Sequence, residues 1–187
     1  ADAARTDMKS DICSGWRAEG TMMVEVRAGN GVPVTIGPTA PAIADETADD
    51  ALGWHAIDAL PAGAMRRRRL VDVLDVGDTW AVTALFRDTH VDPAGTETIL
   101  HEYALTAPAA AAPGAPTAGT AVPRVLPWVE CPVAAASADR LAGQPVATVR
   151  DFVRSSLRGT STCTHLNDLL RSLGDVATLA AWQDPAA

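Results

Sequence analysis

The chain has 187 residues, a formal net charge of −8 and a sequence pI of about 4.8. That acidity excludes a general nucleic-acid binder, which needs a basic face, and no run of about 18 apolar residues offers a membrane-spanning helix. Hydrophobic residues make up 48% of the chain but aromatic residues only 4%, so a core must rest on Val, Leu and a few Trp.

The chain opens at Ala1 with no charged segment leading into an apolar one, so no signal peptide is expected. The start at Ala rather than Met suggests a processed chain or a piece of a longer one. Residues 1–63 are expected to form an N-terminal arm of strand and loop. Within it, Cys13 in Ile12-Cys13-Ser14-Gly15-Trp16 fits a small buried hydrophobe better than a ligand. Thr21–Arg27 alternates as a strand does. Gly29-Asn30-Gly31 signals a turn, with Val32–Ile36 as its hairpin partner. Pro38–Asp50 is acidic and rich in Ala and Pro, and is expected to be a loop. Trp54-His55-Ala56-Ile57 is an apolar island before Pro61, where His55 is either substrate-facing or merely on the surface.

Residues 64–180 are expected to form an α+β domain, with 181–187 as a tail. Arg66–Arg69 is the one basic cluster. It runs into Leu70-Val71-Asp72-Val73, so it predicts a solvated or ion-paired strand end rather than an anion-binding patch. The expected strands are Arg68–Leu74, Trp80–Phe86 and Thr98–Thr106, joined by turns at Val76-Gly77-Asp78 and Asp92-Pro93-Ala94-Gly95. On the third strand Ile99, His101, Tyr103 and Leu105 share a face, which points His101 toward the core and Glu102 away. Residues 107–121 are almost exclusively Ala, Pro, Gly and Thr, and predict a flexible, enlarged hairpin loop. Val122–Trp128 predicts a fourth strand, at an edge because Pro123 and Pro127 lack amide donors.

Three helices are expected next. The first spans about Pro132–Ala142 with Cys131 at its N-cap, and the second about Pro145–Leu157 with a stripe of Val149, Phe152, Val153 and Leu157. The third starts near Thr164 and buries Leu166, Leu169, Leu170 and Leu173, with Asp168 in its first turn complementing the helix dipole. Strands segregated before helices predict an α+β fold: an antiparallel meander sheet followed by three helices packed on one face.

Cys131 and Cys163 are each expected at a helix N-terminus, where unpaired amides favour thiolate over thiol. His165 follows two residues after Cys163, and His101 projects from the inner face of the sheet. If the last helix packs on the sheet, His101, Cys131, Cys163 and His165 converge as a four-ligand set suited to zinc, or to iron in a cluster. Without metal, Cys163 would be a nucleophile with His165 or His101 as its base. The plainer alternative has small buried cysteines, a locally bonded His165 and a core His101. Asp88, His90 and Asp92 crowd one hairpin tip, where they are ordinary turn residues or a cation site. Neither a Gly-rich phosphate loop nor Gly-x-Ser-x-Gly occurs.

The run Val122-Pro123-Arg124-Val125-Leu126-Pro127-Trp128-Val129-Glu130-Cys131-Pro132 and the run Gly159-Thr160-Ser161-Thr162-Cys163-Thr164-His165-Leu166-Asn167-Asp168 resemble an uncharacterised, chiefly actinobacterial domain-of-unknown-function family. Phe86-Arg87-Asp88, Asp92 to Glu97, His101-Glu102-Tyr103 and Asp50 to His55 belong to the same pattern, and the resemblance spans roughly residues 7–180. It implies no activity. It does imply that an N-terminal extension can precede the chain.

The order of elements also resembles the NifU-like iron–sulfur scaffold, whose ligands are an Asp, one Cys and a His-Cys pair. Position by position, this implies His101 for the Asp, Cys131 for the first Cys, and Cys163 with His165 for the pair. His in place of Asp, and Cys-x-His in place of His-Cys, depart from that pattern toward a closed site.

The function expected is a small-molecule metabolic enzyme: a hydrolase or lyase of an organic acid or ester with a Cys/His metal or thiolate centre. Trp54, Trp80 and Trp128 would line its apolar pocket. The alternatives are a metal or iron–sulfur carrier, and a partner-binding module with a structural zinc. The three-cysteine count leaves at least one thiol free and implies a reducing, cytoplasmic setting. A partner for the N-terminal segment, or a second copy of the chain, is expected besides the substrate.

Overall fold

Long alternating segments separated by glycine turns build one antiparallel sheet. The structure, a computed structural model, describes residues 8–42, 45, 57–77, 79–110, 116–117 and 119–182. Strands β1 (Met65–Asp75), β2 (Thr79–Val91), β3 (Glu97–Ala110) and β5 (Thr120–Val125) are its body. Two-residue strands β4 (Pro116–Thr117) and β6 (Gln144–Pro145) extend it, in the order β1-β2-β3-β4-β6 with β5 also paired to β3. Gly77 turns β1 into β2 in the left-handed region, at φ 92°, where a side chain would be strained.

Register aligns four rows across β1, β2 and β3: Arg67–Asp88–His101, Arg69–Phe86–Tyr103, Val71–Ala84–Leu105 and Val73–Val82–Ala107. All lie on one face because side chains repeat with period two. The first row is polar; below it the β2 and β3 members are apolar or aromatic and buried, while Arg69 at the β1 edge is exposed. A register shift between Asp88 and Thr89 puts Thr89 opposite Ile99 while Asp88 opposes His101. Bulges of this kind commonly re-aim side chains beside functional sites.

Helices cover that face. A 3₁₀ helix, Cys131–Leu141, leads through a 3₁₀ turn at Val146–Thr148 into α2 (Val149–Ser156), α3 (Thr164–Ser172) and α4 (Val176–Ala181). Ala134, Ala138, Leu141, Val149, Val153, Leu166, Leu169, Leu170 and Leu173 pack against Phe86, Tyr103 and Leu105 in one core. The α+β class and the meander-then-helices order match the expectation. Cys131 is the first residue of its 3₁₀ helix rather than its cap, which is Glu130. Asp168 lies beyond the first turn of α3 and pairs with Arg67, Arg69 and Arg171 instead of with the helix dipole. Helix α4 was not anticipated.

Several boundaries shift. Strand β2 runs on to Val91 and β3 to Ala110, so part of the expected loop 107–121 is paired strand; residues 111–115 and 118 lie outside the described residues. The fourth strand starts at Thr120 and stops at Val125, before Pro127. Thr21–Arg27 is a helix, α1, and not a strand: Met22, Met23 and Val26 are buried together at helical spacing, packed by Met8, Trp16 and Trp128. Val32–Ile36 forms no hairpin strand. Instead the arm meets β3 further on, where Ile99 N–H donates to Pro38 O at 2.9 Å and Thr39 bridges Thr98. A Cβ on Gly37 would lie 1.7 Å from the Ile99 carbonyl oxygen, so this approach requires glycine. On the far face of the sheet, Glu102 points away from the helices as expected. It is nonetheless buried, paired with Arg87 and, at 3.5 Å, with Arg124. Asp50–His55, with Trp54, lies outside the described residues.

Helices α2 and α3 are tied by a buried bond: Asn167 Nδ2 donates to Leu157 O at 2.8 Å, just past the end of α2. Replacing Asn167 by Ala leaves that carbonyl without this donor. It should destabilise the chain by about 1–3 kcal/mol, measured as a lowered midpoint in urea unfolding with an unchanged slope.

Candidate functional site

Where α3 begins, it lays His165 over the polar end of the sheet. The backbone of Cys163 is extended and caps the helix, its carbonyl accepting the Asn167 amide at 2.8 Å. This sends the Cys163 side chain inward and places His165, in the first turn, above Asp88 and His101. The His101 and His165 rings stack, centroids 3.6 Å apart at 22°. Phe86 closes edge-on at 5.8 Å. His165 Nε2 lies 3.5 Å from Asp88 Oδ2, and its Nδ1 lies 3.7 Å from Cys163 Sγ.

Asp88 is 4% exposed in its side chain, and a buried carboxylate needs a partner. Arg67, next to it across β1, supplies a two-pronged one: Nε to Oδ1 and Nη2 to Oδ2, both 2.8 Å. The guanidinium also lies over the Phe86 ring, 5.0 Å from its centroid, and reaches Asp168 at 3.5 Å.

Asp88, His101 and His165 each offer one ligand atom, all within 4.8 Å of one another. Burial, more than neighbouring charge, drives both imidazoles toward the neutral form. His101 falls to about 3, with His165 and Arg67 adding to the effect. His165 is also lowered, chiefly by burial and against the pull of Asp88. His101 Nδ1 is buried and makes no hydrogen bond.

The four residues expected to converge divide into two layers. His101 and His165 meet as foreseen, and Cys163 touches His165. Cys131 lies lower, against Gly15 and Trp128, where a Cβ on Gly15 would come within 2.7 Å of its sulfur. It is part of a thiol layer with Cys13 and Cys163 around the Tyr103 hydroxyl. That hydroxyl faces the Cys163 thiol but makes no hydrogen bond of normal geometry. Burial pushes Cys131 up to about 12 and raises Cys13 as well. Burial thus works against the thiolate expected at Cys131, because desolvation outweighs whatever a short 3₁₀ start offers.

Two residues near the centre lie outside the expected four-ligand set. Asp88, expected with His90 and Asp92 at a hairpin tip as a turn residue or part of a cation site, lies inside β2. Its inward phase with Ala84 and Phe86 was the available signal. Asp92 is a turn residue, accepting from the Ala94 and Thr96 amides. Cys13 is brought in by the arm, where the Ser14 amide donates to Thr162 O at 2.8 Å; nothing local in the sequence marks that contact.

Residues 65–179 match the family described as protein of unknown function (DUF2889). The chain belongs to that family. The match runs from β1 into α4 and includes Arg67, Asp88, His101, Cys131, Cys163 and His165. It begins after the arm, so Cys13 and the Asp50–His55 motif precede it. No curated protein and no solved structure matches the chain.

A histidine whose folded pKa is depressed adds stability above its unfolded value, near 6.5, and loses it as pH falls toward the folded value. For His101 that window runs from about 6.5 down to about 3. Lowering the pH from 7 to 5 should cost on the order of 2 kcal/mol through this residue. His101→Phe should flatten that part of the stability–pH curve, measured by denaturant unfolding across the range.

Proposed function

We propose that this DUF2889 domain is a metal-dependent enzyme acting on a small organic acid or ester by hydrolysis or lyase chemistry. Asp88, His101 and His165 would hold a zinc or iron ion. The observation that carries this is the orphaned, buried Nδ1 of neutral His101 beside His165 and Asp88, with all three ligand atoms within 4.8 Å. Neutral imidazole is the form that ligates. Ligand nitrogens on zinc sit about 3.4 Å apart, given bonds of about 2.1 Å, so modest side-chain rotations bring the set to that spacing.

Arg67 supports the fit rather than competing with it. A carboxylate has about four lone-pair sites, and Arg67 uses one per oxygen while fixing the plane of Asp88. Such outer partners orient ligands in many metal sites. Three protein ligands leave room for substrate, as in catalytic sites, and a bound divalent ion would supply polarisation of a carbonyl or activation of water. His165, 25% exposed in its side chain, is nearer solvent than Asp88 at 4%.

A second reading is favoured by one alignment. Cys163 Sγ, both nitrogens of His165 and Asp88 Oδ2 form a line of 3.7 and 3.5 Å contacts, which is the order of a thiol nucleophile, its base and an orienting carboxylate. The burial of Cys163 weighs against it. The carrier reading of NifU-like type needs Cys131 to leave its packing against Gly15 and Trp128.

Elemental analysis and zinc titration of the purified chain separate these readings. The metal reading expects about one ion per chain, lost in His101→Ala and His165→Ala and kept in Cys131→Ala. Loss in Cys131→Ala as well would favour the carrier. If the wild-type chain carries no metal and shows no saturable zinc or iron(II) binding, the metal proposal fails. Rapid, His165-dependent alkylation of Cys163 by iodoacetamide would then support the thiol reading.

A further inference from the structure

One helical turn past His165, the molecule carries a cleft of about 340 Å³ between β1, α2 and α3, bordered at its far end by Asp175. Arg69, Arg150, Arg154 and Arg171 line it, against Asp168 and Asp175. Four guanidiniums thus face two carboxylates, a local excess of two positive charges on a chain whose net charge is −8. Even that count understates the excess. Asp168 is shared by Arg69 at 3.3 Å, Arg171 at 2.8 Å and, from outside the cleft, Arg67 at 3.5 Å. Among the described residues Arg154 has no ion-pair partner.

The arrangement is built rather than scattered. Arg150 lies flat across Gly174, where a Cβ would come within 2.8 Å of its side chain. Its Nε donates to the Arg171 carbonyl at 3.2 Å and its Nη2 pairs with Asp175, which leaves Nη1 uncommitted. Arg154 stands one turn along α2 from Arg150, on the same side of the helix. A planar guanidinium held as that of Arg150 suits two oxygens of a phosphate or carboxylate, and the exposed Arg154 beside it adds a second.

We propose that this arginine cleft binds a small molecule's oxyanion group, phosphate or carboxylate. That part stands independently of any metal. A further step, which rests on the metal reading, makes the oxyanion the substrate's anchor. The chain of contacts Asp168–Arg67–Asp88–His165 runs from the cleft to the candidate centre, and in this step the rest of the bound molecule extends along it to His165. This narrows the substrate class to small molecules with a phosphate or carboxylate at one end.

The test is calorimetric titration of the full chain, treated with EDTA, at low ionic strength, with inorganic phosphate in one arm and succinate in the other. Saturable binding is expected in at least one arm. Arg154→Gln should weaken it about tenfold, as loss of one charge-assisted bond does. Asp175→Asn should strengthen it about threefold by releasing Arg150, while Arg158→Gln, on the helix end beyond the cleft, should change nothing. His165→Ala should retain phosphate or succinate binding even as it loses metal, so failure of the metal reading leaves this result intact. No saturation by either anion, or equal weakening by Arg158→Gln and Arg154→Gln, would overturn the proposal.

Discussion

Asp88 is a carboxylate with almost no solvent, and the arrangement around it follows from that. Arg67 grips both of its oxygens from the neighbouring strand. Asp88 is buried while Arg67 is half exposed, and the register of β1 and β2 sets the two directly opposite each other. The same Arg67 reaches Asp168 on α3, so one guanidinium ties the sheet to the helix bearing His165. Stacking of His165 on His101 disfavours charging both imidazoles at once, since two adjacent charged rings would repel. Burial pushes each of them toward the neutral form.

Beneath this polar row the core carries three thiols and one phenol among its apolar side chains. Cys13, Cys131 and Cys163 fill small spaces around Tyr103, and desolvation favours the neutral thiol at Cys13 and Cys131. Cys163 alone spans both layers, with its sulfur beside His165. The arm closes the thiol layer from the side: Ser14 bonds to Thr162, and Glu130 receives the Thr21 amide at 2.7 Å. Cys13 and α1 precede residues 65–179, the segment that matches DUF2889, yet here they pack on that segment's helix starts.

Much of the domain was legible in the chain. Period-two alternation gave β1, β2 and β3, glycine and proline gave the turns, and leucine spacing gave the buried face of α3. Each signal is local, set by φ/ψ preference or by which side of an element must leave water. The misreading of Thr21–Arg27 has a definite cause. Met22, Met23 and Val26 fit a helical stripe as well as an imperfect strand, and only the Trp16 and Trp128 surfaces awaiting them settle the choice. The boundary of β2 was missed because Asp88 and His90 look like turn residues unless Arg67 and His101 are known to flank them.

From its own order, this sequence determined the α+β class, the inward phase of His101, and the placing of Cys163 and His165 together at a helix start. These follow from periodicity and capping, which act over a few residues. Tertiary structure alone decided that Asp88 joins the two histidines, that Cys131 lies a layer below where burial favours the thiol, and that four arginines from three elements share a cleft. Those outcomes depend on strand register and on desolvation by residues far away in the chain. Neither can be read from neighbours in sequence, because both arise only when separate elements have packed.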